Sequence, residues 1–189
     1  MAEVRKGFGV VHSVHFYDSD RALIQRLQSI FMSAFEIGNS VIIVATEEHY
    51  RQLSAALKRQ IIDVVGLEAA GRLIFFEASE ALEHFMVNGM PDRELFYNSI
   101  GRLLREAKCA ASNAEMGLTV FGEMVAVLWD EGNREGALAL ETLWNELLSE
   151  SAFHLHCAYP RSLFTHESQA TQMQAICQGH SHVVGYPAA

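Results

Sequence analysis

Glu123 interrupts an apolar run. In FGEMVAVLWDEGN, residues 121–133, a carboxylate follows Gly122 and precedes Met124, Val125, Ala126, Val127 and Leu128. A carboxyl group among apolar residues costs free energy unless it is paired or hydrogen-bonded, and such perturbed groups concentrate at functional sites. Glu123 therefore reads as a buried carboxylate that either contacts a ligand or caps a neighbouring loop. No nucleophile or metal partner stands beside it, so catalysis is not expected. A second acidic group, Glu47-Glu48, follows the apolar run SVIIVAT, residues 40–46. The nine histidines supply imidazole chemistry. His154 and His156 lie two apart, as do His180 and His182, so each pair shares a face if the chain is extended. With Cys157 or Glu123 they offer metal-binding atom types, but no HExxH or CxxC spacing supports a site. No metal ligands are assigned, and these histidines read as hydrogen-bonded packing residues.

Several chemistries lack their motifs. There is no GxxxxGK[ST] phosphate loop, no GxGxxG after a strand and no GxSxG elbow. Nucleotide hydrolysis thus has little support. A net charge of −9 opposes binding to a phosphate backbone, and Arg102, Arg105 and Lys108 read as one solvated helix face. Cys109, Cys157 and Cys177 are odd in number and far apart, which argues against a disulfide framework and for a reducing cytoplasm. No signal-peptide core and no run of ~18 apolar residues is present, so neither secretion nor membrane insertion is expected.

The elements that must position these groups follow from hydrophobic periodicity. The 189 residues, 50% hydrophobic, suit one compact domain, placed at residues 10–185 with flexible termini at 1–9 and 186–189. Strands are expected at residues 10–17, 40–46, 71–79, 117–124 and 153–160, with a short edge strand in the tail HSHVVGYP. Helices are expected after Asp18-Ser19-Asp20, after Thr46, after Pro91, over residues 134–150 and over residues 165–178. Residues 89–92 read as a bend. Trp144 is expected in the core and Trp129 at a strand-to-helix junction, as a core plug. Alternation of strands and helices predicts an α/β fold: a three-layer, mostly parallel sheet with helices on both faces. In such sheets ligands bind beyond the carboxyl ends of the strands.

HSVHFYDSD, SVIIVATEEHYRQL, GRLIFFEASEALEHFMVNGMPD, FGEMVAVLWDEGN, ALETLWNELL, FHLHCAYP and ICQGHSHVV, in that order, resemble the MEDS domain. This is the sensory domain named for methanogens, methylotrophs and the DcmR regulator. The resemblance covers roughly residues 10–185. It implies a RecA/KaiC-like fold without its P-loop, adapted for sensing, in a family whose members often accompany histidine kinase, anti-sigma-factor or DNA-binding modules. In that comparison Glu47 and Glu48 match the acidic pair of KaiC, and Glu123 falls near the acidic position of a Walker B strand. His15, His154 and His156 depart from residues common in the family, and a pH response is one role for them.

The resulting expectation is a cytoplasmic, non-enzymatic sensory domain. It binds an unidentified small-molecule ligand at the carboxyl edge of the sheet and signals to a separate protein, such as a histidine kinase or an anti-sigma-type regulator. No contact with nucleic acid or membrane is expected, homo-oligomerisation is open, and no cofactor is identified. The predicted lining is His12, Tyr17, Asp18, Glu47, Glu77, Glu123, Tyr159, His180 and His182. The rival readings are a degenerate KaiC-like nucleotide-binding protein, or a hydrolase using Glu47, Glu48 and Glu123 with Mg²⁺, and an interaction module whose crevice is filled by side chains.

Overall fold

The computed structural model describes residues 11–111, 117–164 and 170–185. A six-stranded sheet has the order β3-β2-β6-β7-β1-β8, built from β1 (Val11–Tyr17), β2 (Ser40–Ala45), β3 (Leu73–Glu77), β6 (Leu118–Gly122), β7 (His154–Pro160) and β8 (His182–Val184). Every pairing in it is parallel. The central strands β2 and β6 are buried on both faces, which is why SVIIVA reads as a continuous apolar run.

Helices α1 (Asp20–Glu36), α2 (Glu47–Arg59) and α3 (Val64–Ala69) cover one face. There Leu23, Leu27, Phe31, Leu53 and Leu57 pack on Val41, Ile43 and Phe121. Helices α4 (Ala78–Glu83), α5 (Arg93–Ala110), α6 (Met124–Asp130), α7 (Arg134–Glu150) and α8 (Ala170–Gln178) cover the other. There Phe96, Leu140, Trp144 and Leu148 pack on Val14, Phe16, Leu155 and Tyr159. The alternation of strand side chains decides which groups meet. His12, Cys157 and Tyr159 face the α7 side, because they keep register with Val14, Phe16 and Leu155 in that core.

Caps fix the helix starts. Ser19, Thr46, Asp63, Asp92 and Asn133 each accept a backbone N–H of the following turn. Gly38, with φ 85°, follows α1.

Four expectations need correction. The strand over 117–124 stops at Gly122, and Met124 through Asp130 form α6, so Trp129 lies inside a helix rather than at a junction. Its sequence is apolar because the helix is buried almost all round. The strand over 71–79 ends at Glu77, whose side chain caps α4. Residues 89–92 are half of a hairpin, not a plain bend: β4 (Met86–Val87) pairs antiparallel with β5 (Met90–Pro91). Asn88 and Gly89, with φ of 52° and 79°, make the two-residue turn between them. The short helices α3 and α4 were not expected. The helix expected over 165–178 is seen from Ala170; its first five residues, Val10 and both expected flexible termini lie outside the described residues. Among the described residues no helix is long and apolar enough to cross a membrane.

Candidate functional site

Neighbouring strands β2 and β6 send their following helices to opposite faces of the sheet. That divergence opens a crevice at their carboxyl ends, the usual ligand position in parallel sheets. Glu123, the first residue beyond β6, sits in it. Its backbone N–H donates to the Val44 carbonyl at 2.8 Å, and its own carbonyl accepts from Ala126 and Val127, which starts α6. Its side chain crosses back to the other layer. Oε2 accepts the Thr46 N–H at 3.0 Å, and Oε1 lies 2.6 Å from His49 Nδ1. The carboxylate is 4% exposed and both oxygens are engaged, so its burial is compensated.

His49 completes a bridge. Its Nε2 lies 3.3 Å from Asp20 Oδ1, at the start of α1. One imidazole therefore ties α1, α2 and β6 together. The hydrogen bond to Glu123 raises the His49 pKa above its ordinary value, against the opposing effect of burial. The Tyr17 ring meets His49 edge-on at 6.4 Å, and burial, aided by the Glu123 charge, pushes its hydroxyl pKa up. His49 was missed in the sequence. The signal was its place three residues after the Thr46 cap, where a first-turn side chain points back over the helix start.

On the outer side of the same turn, a cleft of about 450 Å³ is lined by Glu47, Glu48, Tyr50, Arg51 and Phe75. Tyr50 and Phe75 stack with ring centroids 4.0 Å apart, and the Tyr50 hydroxyl donates to Glu68. Arg51 Nη2 pairs with Glu48 at 2.6 Å. The volume lies within the range of small-molecule sites.

The nine predicted residues do not line one pocket. Tyr17 and Glu123 meet His49 at the crevice, and Glu47 is in the adjoining cleft. Asp18 is exposed and pairs with Arg161 at 3.0 Å, and that guanidinium also donates to the Gly185 carbonyl. Glu77 accepts the Glu80 N–H as the cap of α4. His182 is exposed on the edge strand, its Nδ1 at 2.6 Å from the Ser181 carbonyl. His12, Tyr159 and His180 lie elsewhere. They converge under α7 on Glu141, with His12 near the amino end of β1. Tyr159 does lie at the carboxyl end of β7 but takes the α7 face, whereas His12 lies at the other end of β1 and His180 precedes β8, so neither histidine stands at a strand's carboxyl end. The grouping of His154 and His156 with Cys157 also fails, since adjacent strand residues point to opposite faces. His156 instead bonds Ser13 Oγ at 2.5 Å, and burial lowers its pKa to about 4.

Glu141 was missed as well, although ALETLWNELL places it on the apolar stripe of α7 with Ala137, Leu140, Trp144 and Leu148. It is 6% exposed. Burial pushes its carboxyl pKa up, but hydrogen bonding to His12 and the charges of His180 and His12 outweigh that and hold it below the usual value.

A family model described as MEDS, the methanogen/methylotroph, DcmR sensory domain, matches residues 11–179. No curated protein matches the chain.

Proposed function

The chain belongs to the MEDS family of sensory domains, and on that premise we propose that it is a signal-input module whose α2 start reads a small polar ligand. The ligand occupies the cleft of Glu47, Glu48, Tyr50, Arg51 and Phe75, where carboxylates and a guanidinium flank an aromatic wall. The carrying observation is the His49 bridge: the turn that lines the cleft is also the turn held to β6 and α1 through Glu123 and Asp20. A ligand that shifts this turn changes the fit of two helices on the sheet, and a separate signalling protein reads that change. Such a ligand acts only through its unequal affinity for the two arrangements.

The role is non-catalytic in this reading. Both Glu123 oxygens are engaged by Thr46 and His49, so Glu123 itself is not a free carboxylate for Mg²⁺ or for activating water. Incubation with ATP and Mg²⁺ is expected to release no phosphate above background. The binding test is a thermal-shift screen of small amines, carboxylic acids, alcohols and nucleotides. The expected result is a compound that raises the melting temperature of the wild type and loses its effect in Tyr50→Ala. A screen without hits, or hits indifferent to Tyr50→Ala and Glu48→Gln, overturns the assignment to this cleft.

A further inference from the structure

Under α7, far from the His49 bridge, four side chains aim donor atoms at one point. His12, Glu141, Cys157 and His180 are all buried, and one ligand atom from each lies within 4.8 Å of the others. His12 Nε2 and His180 Nε2 are each 3.4 Å from Glu141 Oε2. Cys157 Sγ is 3.5 Å from His12 Nε2 and 3.8 Å from Glu141 Oε2. Donors around a tetrahedral zinc, with bonds of about 2.0–2.3 Å, lie roughly 3.3–3.7 Å apart. Four of the six donor pairs stand close to that spacing, and all six lie within 4.8 Å.

The surrounding hydrogen bonds orient the donors in the way metal ligands require. His180 Nδ1 donates to the Ile176 carbonyl at 2.6 Å, which leaves the lone pair on Nε2. That Nε2 is fully buried without a hydrogen-bond partner. The nearby Glu141 oxygen does not satisfy it, because both atoms are acceptors. His12 Nδ1 lies 2.9 Å from Asn145 Oδ1, which orients the ring so that Nε2 faces Glu141 and Cys157. Tyr159 donates to Glu141 Oε1 at 2.9 Å and turns Oε2 toward the shared point. Two imidazole nitrogens, a carboxylate oxygen and a thiol then converge, and among them the His180 Nε2 has no hydrogen-bond partner. A buried acceptor left unpaired is costly, and a cation held at the shared point satisfies it. Outer hydrogen bonds that fix histidine tautomers and a carboxylate are the usual support of a metal site.

We propose that His12, Glu141, Cys157 and His180 bind one zinc-class transition-metal ion. Two imidazoles and a thiolate disfavour Mg²⁺ and Ca²⁺, which take oxygen ligands. Binding displaces the Cys157 proton to solvent, so the divalent ion, the thiolate and the Glu141 carboxylate form a neutral buried unit. Four protein ligands complete a tetrahedron and leave no open position, so the ion is structural rather than catalytic. It joins β1, α7 and β7 to the segment leading into β8. That segment is already clipped to His12 by Ser181, whose N–H and Oγ both donate to the His12 carbonyl at 2.8 Å. The site is independent of the proposed ligand cleft.

The test uses the full chain stripped with a chelator and titrated with Zn²⁺, and separately with Co²⁺ as a spectroscopic probe. The expected result is one ion per chain. Co²⁺ gives the intense visible bands of four-coordination and a near-ultraviolet thiolate-to-cobalt band. Tyr159→Phe, which removes only an outer hydrogen bond, weakens Zn²⁺ binding about 10–100-fold, and His182→Ala leaves it unchanged. Cys157→Ser removes the near-ultraviolet band. If Cys157→Ser does not fold, the wild-type cobalt spectrum decides alone. Folded wild-type protein that takes up no stoichiometric metal, or that gives the weak spectrum of six-coordinate Co²⁺ without a thiolate band, overturns the proposal.

Discussion

Glu123→Gln is the most informative single change at the crevice. Gln keeps the shape and an oxygen for the Thr46 N–H, but removes the charge that holds the His49 proton. The pair is close, at 2.6 Å, and nearly dry, with side-chain exposures of 11% and 5%. Removing one partner of such a pair costs about 3–5 kcal/mol. Here the retained Thr46 contact, and Asp20 at 3.3 Å on the other imidazole nitrogen, reduce that to about 2–3 kcal/mol. For a chain of this size that lowers the melting temperature by about 4–12 °C. The pH dependence carries the sharper test. The folded-state pKa of His49 is raised, chiefly by its hydrogen bond to Glu123. Its stabilising contribution is therefore complete below the ordinary histidine value of about 6.5 and is lost as pH rises through the raised value. Tyr17, Asp20, Glu48 and Glu123 are titratable groups close enough to act on it. His15, whose pKa burial lowers to about 4, titrates below this window. Urea unfolding followed by circular dichroism at about pH 6 and about pH 9 should show wild-type stability falling toward the alkaline end. The variant should stay nearly flat, so that the two curves approach each other. Parallel pH dependences in the two proteins would refute the coupling, as would a loss below about 0.5 kcal/mol at pH 6. A double-mutant cycle with His49→Gln isolates the pair.

Three other substitutions probe the scaffold. Asn133 accepts the Gly136 N–H at 3.0 Å and donates to the Gly89 carbonyl at 2.6 Å, so Asn133→Ala should cost about 1–2 kcal/mol. It should also speed amide exchange in both the α7 start and the β4–β5 hairpin; unchanged exchange in the hairpin would separate the two. Trp144 is 1% exposed and meets Phe96 edge-on at 5.3 Å; Trp144→Ala should cost about 3–5 kcal/mol in urea unfolding, and a loss under about 1 kcal/mol would mean the core closes over the gap. Ile61 is 95% exposed with φ 63°, a conformation hostile to a β-branched side chain. Ile61→Asn should raise the melting temperature, by about 0.5–1 kcal/mol of stability; a fall would mean that Ile61 makes a contact worth more than its strain.

Much of the fold was legible because its signals are local. SVIIVAT, the cap at Thr46 and the stripe Leu140, Leu143, Trp144, Leu147 and Leu148 each announce themselves within a few residues, and the structure keeps them. α6 was not legible, because a helix buried on nearly every side has no polar face to reveal its period. The hairpin could have been read from Asn88-Gly89, a strong turn signal lost beside Pro91. The sites were harder for a different reason. Glu123 stood out as a lone charge in an apolar run, but its partner His49 is 74 positions away. The Glu141 cluster joins three separate elements and the segment before β8, and no short spacing marks it.

The two polar clusters differ in access, and access sets what each can report. His49 reaches solvent through Asp20, whose side chain is 57% exposed, and a cleft opens beside it. A proton or a small ligand can exchange there without unfolding, on the timescale of side-chain and loop motion. The cluster under α7 has no such opening: His180 is 0% exposed at its side chain, and Glu141 is 7% exposed. Anything bound there must enter while the chain folds, or when the segment carrying His180 lifts from the sheet. That segment is fastened by backbone pairing to β1 and by Arg161 on the Gly185 carbonyl. Gly185 itself cannot be replaced cheaply, because a Cβ at its φ of 73° would lie 2.3 Å from the Phe16 carbonyl oxygen. Lifting the strand therefore means breaking a fitted joint, and exchange at the inner cluster is slow. Fast exchange therefore belongs at the outer cluster and slow exchange at the inner one.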